Sequence, residues 1–108
     1  MRQVQAAVGQ SHLMAMYEEL FHTENISVAQ ALLTERDIAD KSGYLNIRNT
    51  LTELLNLGIV PIINENDTVA VDELMVTFGD NDRLAALVTN LLPAPLLVLL
   101  TVVDGLFA

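Results

Sequence analysis

A chain of 108 residues with a net charge of −9 suits one domain or part of one, and at 52% hydrophobic it has enough apolar material for a core. With 14 acidic residues against five basic ones, it is a poor partner for nucleic acid, whose phosphates need Lys and Arg to displace their counterions. The absence of cysteine excludes disulfides and thiolate metal sites, and it fits a cytoplasmic protein.

The N-terminus, MRQVQAAVGQSHL, lacks the continuous apolar core of a signal peptide. Apolar residues at 4, 8, 16 and 20, with Leu13, Tyr17 and Phe21 beside them, predict an amphipathic helix from Arg2 to about His22. His12 falls near that stripe and is expected to be packed rather than catalytic. Ile26 to Leu33 has the length and composition of a strand, and the polar run from Thr34 to Asp37 breaks the pattern. Tyr44, Ile47, Leu51, Leu54 and Leu55 recur at helical spacing, and Gly58 supplies the C-terminal stop. Ile59 to Ile63 predicts a second buried strand. Pro61 cannot donate to a ladder and points to an edge or an irregularity there.

A long connection follows from Asn64 to Asp80, with room for a short extended piece between Glu73 and Phe78. Asp80 or Asn81 is a suitable cap for a third helix, whose apolar face is Leu84, Leu87, Val88 and Leu91. The run from Leu91 to Val103 is too short to span a membrane and carries Pro93 and Pro95. Leu96 to Leu100 is expected instead to be a third strand, apolar on both faces. Helices alternating with strands argue for an α/β fold with a mainly parallel sheet covered on both faces.

No Lys or Arg occurs between Arg48 and Arg83, while Glu65, Asp67, Asp72, Glu73, Asp80 and Asp82 lie in that gap. A charge run of this kind is ordinarily a solvated loop. Its position argues for more, because parallel sheets bind ligands beyond the carboxyl ends of their strands. Thr34, the segment Asn64 to Asp67, the segment Gly79 to Asp82, and Thr101 all converge on that edge by topology. Asn64, Asn66 and Asn81 can donate and accept hydrogen bonds, and Asp67 can receive an ammonium group. The spacing does not match a calcium loop. Phosphoryl transfer would also require cations, usually with a glycine-rich loop. With one lysine, Lys41, and no such loop, the visible residues make half of a site.

The run VPIINEND from Val60 to Asp67, GDND from Gly79 to Asp82, and LVLLTVVDGL from Leu97 to Leu106 resemble the gamma-glutamyl kinases (glutamate 5-kinases) of the amino acid kinase family. They also resemble the kinase domain of pyrroline-5-carboxylate synthase. The segments AVGQS from Ala7 to Ser11 and LLT from Leu32 to Thr34 match in the same order. The resemblance implies a three-layer αβα sandwich, of which residues 1–108 would be the central part, lacking N-terminal and C-terminal segments. It implies phosphorylation of the L-glutamate γ-carboxylate by ATP with Mg²⁺, in proline biosynthesis. Asp67 would contact the glutamate amino group, Asn81 would bind the substrate, and Asn64 would shape the pocket. Asp82 would orient catalytic lysines, and Thr101 and Val102 would meet the nucleotide. The family usually has Asp where this chain has Val102, which removes a carboxylate from that contact. Its leading lysine-bearing strand, glycine-rich turn and substrate-contacting serine have no counterpart here, nor does its later nucleotide-binding segment.

Three readings follow. In the first, the chain carries part of a glutamate kinase that is competent only in the complete domain. In the second, a family relative acts on a different carboxylate, carbamate or nucleotide. In the third, a non-catalytic chain binds a metabolite or pairs with complete subunits. Family members are commonly homo-oligomers, and the stripe on the first helix suits either a second copy or the sheet. No nucleic-acid or membrane partner is expected.

Overall fold

The computed structural model describes residues 2–66 and 81–100. Helix α1 (Arg2–His22) leads into strand β1 (Val28–Leu33), helices α2 (Glu35–Ala39) and α3 (Lys41–Asn56), strand β2 (Val60–Glu65) and helix α4 (Asn81–Leu91). The two strands are parallel, with Val28 opposite Val60 and Leu33 opposite Glu65. The mixed helix–strand order and parallel pairing fit a partial αβα sandwich.

Each junction has a local chemical cause. Helix α1 ends where Asn25 adopts φ 58°, with Asn25 and Ile26 N–H groups returned to the carbonyls of His22 and Phe21. Gly58 does the same for α3 at φ 75°, returning its N–H to Leu55 while Ile59 returns to Leu54. The left-handed backbone costs glycine nothing, and these bonds satisfy carbonyls that a helix end leaves open. Between the strands, Thr34 and Asp37 form a reciprocal capping box. Thr34 Oγ1 accepts from the Asp37 N–H at 3.2 Å, and Asp37 Oδ2 accepts from the Thr34 N–H at 2.9 Å. Asp40 then caps α3 by accepting from the Gly43 N–H at 2.9 Å. A Cβ at Gly43 would collide with the Asp37 carbonyl, so the two helices can turn this tightly only on glycine.

The capping box predicts a measurable effect. Thr34→Ala is expected to cost about 1 kcal/mol, seen as a lower urea midpoint at unchanged slope, and Thr34→Ser is expected to keep most of it.

Side chains alternate across each strand. Leu33 and Ile63 face one side, where Leu84 joins Leu33 in a core surrounded by Ile38, Ile47, Leu87 and Val88. On the other side Gln30, Leu32 and Asn64 meet α1. Pro61 sits inside β2. The Val60 N–H donates to Ser27 and the Asn66 N–H to Leu33, so the missing Pro61 donor falls on the side away from β1.

Four sequence expectations change. The stripe at Val4, Val8, Met16 and Leu20 is exposed, at 53–61%. The inward face of α1 is instead Ala6, Gln10, Leu13, Met14, Tyr17 and Phe21, whose mixed three- and four-residue spacing follows the 3.6-residue period more closely than steps of four. His12 lies on the exposed side and is not packed. The run from Thr34 to Asp37, expected as a break, opens α2, because Thr-x-x-Asp is itself a helix-start signal. Leu96 to Leu100 makes no ladder with β1 or β2, and all five residues are exposed. Leucine content marks a segment as able to pair, but a strand exists only where an edge meets it. No helix of the described residues is long and apolar enough to cross a membrane.

Candidate functional site

The parallel register brings the carboxyl ends of both strands to one edge, with Thr34 after β1 and Asn66 after β2. The Asn66 N–H closes the ladder on the Leu33 carbonyl at 2.8 Å. Strand β2 runs two residues further than its apolar stretch suggests, so Asn64 and Glu65 are strand residues rather than the start of a loop. Helix α4 begins at the same edge. Asn81 is its first residue, and Asp82 lies in its first turn, where the helix dipole favours a negative charge.

Four side-chain amides form a chain across this edge. The Asn81 amide nitrogen donates to Asn64 Oδ1 at 3.2 Å. Asn64 Nδ2 donates to Gln10 Oε1 at 3.0 Å, and Gln10 Nε2 donates to Gln30 Oε1 at 3.2 Å. Asn64 Oδ1 also accepts the Glu65 backbone N–H at 2.8 Å. The half-buried centre of this chain, Asn64 and Gln10, borders a cleft of about 290 Å³ between α1 and the strand ends. Leu13 and Leu32 give the cleft apolar walls, and Glu65 at the end of β2 completes its lining. Gly9 lines it as well, and a Cβ there would meet nothing within 4 Å.

Helix α4 is held at this edge from the other side by an ion pair between Arg83 and Glu35, the first residue of α2. Arg83 is 56% exposed, so the pair contributes little to stability and matters as a geometric tie. The second Glu35 oxygen, Oε2, is buried without a hydrogen-bond partner among the described residues.

The structure therefore brings together three of the sequence-derived site residues, Asn64, Asn81 and Asp82. Asp67, Thr101 and Val102 lie outside the described residues, as do Gly79, Asp80 and the segment from Glu73 to Phe78. Among the described residues no group of three or more His, Cys, Asp or Glu side chains could hold a metal ion. The sequence reading missed Gln10. Its signal was present as a polar residue on the inward face of α1, where an amide must find a partner.

The amino acid kinase family profile matches residues 2–108. The chain is 55% identical over 107 residues to the glutamate 5-kinase of Dehalococcoides mccartyi, covering 98% of the chain and 29% of that protein. It is 58% identical over 106 residues to the glutamate 5-kinase of Desulfotalea psychrophila, at 98% and 28% coverage. It is 55% identical over 108 residues to that of Acaryochloris marina, at 100% and 29%. The chain thus spans under a third of the length of these relatives. It belongs to the amino acid kinase family.

Proposed function

We propose that this amino acid kinase family member carries the amino-acid half of a glutamate 5-kinase site, which transfers phosphate from ATP to the L-glutamate γ-carboxylate. The single observation that carries this reading is the meeting of Asn64 and Asn81, from the NEND and GDND motifs, at the strand ends. The share of the relatives' length that the chain covers supports taking residues 1–108 as part of a larger kinase domain, and the order of the motifs carries the proposal that this part is the central one.

In the reaction a γ-carboxylate oxygen attacks the terminal phosphorus of ATP. The bond from that phosphorus to the bridging oxygen breaks, and ADP leaves with the electron pair. The product is an acyl phosphate. Catalysis of this step is mostly positioning and charge neutralisation. Mg²⁺ arrives with ATP and supplies part of the positive charge. The residues of this chain do the positioning. Asn64 and Asn81 bind the amino acid, Asp67 receives its ammonium group, and Asp82 orients lysines of the complete domain. Thr101 and Val102 meet the nucleotide, with the Val102 side chain contributing no polar contact.

Titration of the chain with L-glutamate, followed by amide NMR, tests this reading. Saturable shifts centred on Asn64 and Asn81 are expected, with weaker binding of D-glutamate and L-aspartate. Asn81→Ala is expected to weaken L-glutamate about tenfold, the loss of roughly 1.4 kcal/mol that one well-made hydrogen bond represents. Tighter binding of L-aspartate or uridine monophosphate would move the assignment to another member of the family.

A further inference from the structure

The orientation of an asparagine amide is ordinarily ambiguous, because its oxygen and nitrogen are nearly the same size. Here one backbone donor resolves the whole chain of amides. A peptide N–H can only donate, so the Asn64 atom 2.8 Å from the Glu65 nitrogen is the oxygen. The other Asn64 branch is then the NH₂ group, and the Gln10 atom it meets at 3.0 Å is an acceptor. The remaining Gln10 branch is the NH₂ group that donates to Gln30. On the opposite side, the Asn81 atom that meets Asn64 Oδ1 is its nitrogen. The Asn81 carbonyl oxygen is therefore the branch left over, on an exposed residue at the start of α4.

We infer that Gln10 is a positioning residue: by accepting from Asn64 it holds, together with the Glu65 N–H, the orientation of the Asn64 amide and, through it, that of Asn81. Asn81 then offers a carbonyl acceptor to the ligand, which suits a hydrogen-bond-donating group such as an ammonium. That this ligand is L-glutamate rests on the proposed function. Gln10 is half-buried on α1, 54 residues from Asn64 in sequence, and shares the cleft with it. Without Gln10 the Asn64 NH₂ loses its acceptor and the amide is held by the Glu65 N–H alone, so the Asn81 oxygen is held less firmly in one place.

The experiment uses the whole ¹⁵N-labelled chain. In Gln10→Leu the side-chain NH₂ resonances of both Asn64 and Asn81 are expected to shift, while the backbone amides of α3 stay in place. Affinity for L-glutamate is expected to fall about tenfold. Gln10→Glu keeps an acceptor for Asn64, so both side-chain resonances and an affinity within about threefold of wild type should be retained. Should leucine unfold the chain, Gln10→Met, unbranched and without an amide, is read in its place. Unmoved Asn81 side-chain resonances would overturn the inference, as would Gln10→Glu behaving like Gln10→Leu. If Asn64 and Asn81 shift together but the wild-type chain binds no L-glutamate, the positioning role of Gln10 stands and the glutamate assignment fails.

Discussion

Leu84→Ala is expected to destabilise the chain by about 3 kcal/mol, within the range for burying an alanine where a leucine was fully packed. Leu84 is 2% exposed and meets Leu33 at the centre of the core, with Ile38, Ile47, Ile63, Leu87 and Val88 around it. These residues come from β1, α2, α3, β2 and α4, so the cavity left behind touches five elements and no single side chain can close it. Small domains have only on the order of 5–15 kcal/mol in total, and the substitution removes a large share. The check is urea unfolding followed by circular dichroism, with a lower midpoint at an unchanged slope. Leu100→Ala is the control. At 94% exposed, Leu100 has little packing to lose, and a change within about 0.5 kcal/mol is expected. Because Leu84 lies one helical turn from Asn81, the same substitution is expected to blur the amide chain before the fold is lost. An equal response from Leu84 and Leu100 would mean that this cluster is not the core.

The elements that were legible in the sequence are those whose signal is local. Gly58 announced the end of α3, Asn81 fell at the start of α4, and the apolar runs from Ile26 to Leu33 and from Ile59 to Ile63 hold the two strands, which begin at Val28 and Val60. The parallel pairing followed from the α/β alternation, since two strands joined by helices have little other choice. What escaped depends on partners distant in sequence. The two sides of α1 both carry apolar residues, and only contact with β1 decides that Leu13 and Met14 turn inward while Val4 and Leu20 stay out. Leu96 to Leu100 has the composition of a strand and no ladder among the described residues. The site divides in the same way. Asn64 and Asn81 stood out because their motifs flank a strand end and a helix start. Gln10 did not, because a glutamine on a helix acquires meaning only when a half-buried asparagine meets it.

The larger functional prediction concerns charge. With L-glutamate and MgATP, trapped by hydroxylamine, the 108-residue chain is expected to form acyl hydroxamate at least about 10³-fold more slowly than a complete glutamate 5-kinase. The magnitude follows from what cationic groups contribute to phosphoryl transfer, where one well-placed arginine is worth roughly 10³–10⁵ in rate. Both reactants are anions, and the chain meets them with 14 acidic and five basic residues. At the described edge Glu65 and Asp82 add negative charge, and Arg83 is engaged by Glu35. Nothing there offsets the charge that gathers on the transferred group. Binding and turnover should therefore separate. The amides of Asn64 and Asn81 can hold an amino acid with no cation present, so the chain is expected to bind L-glutamate and still fail to phosphorylate it. Placed in a complete kinase domain, the same segment should regain turnover, and Asp82→Asn should then lower kcat about 10²-fold with the KM for glutamate within about threefold, since in the proposed role a carboxylate that orients lysines acts on the transition state more than on the bound substrate. Robust hydroxamate formation by the chain alone would show that the half-site reading is wrong and that the phosphate is neutralised by groups beyond the described edge.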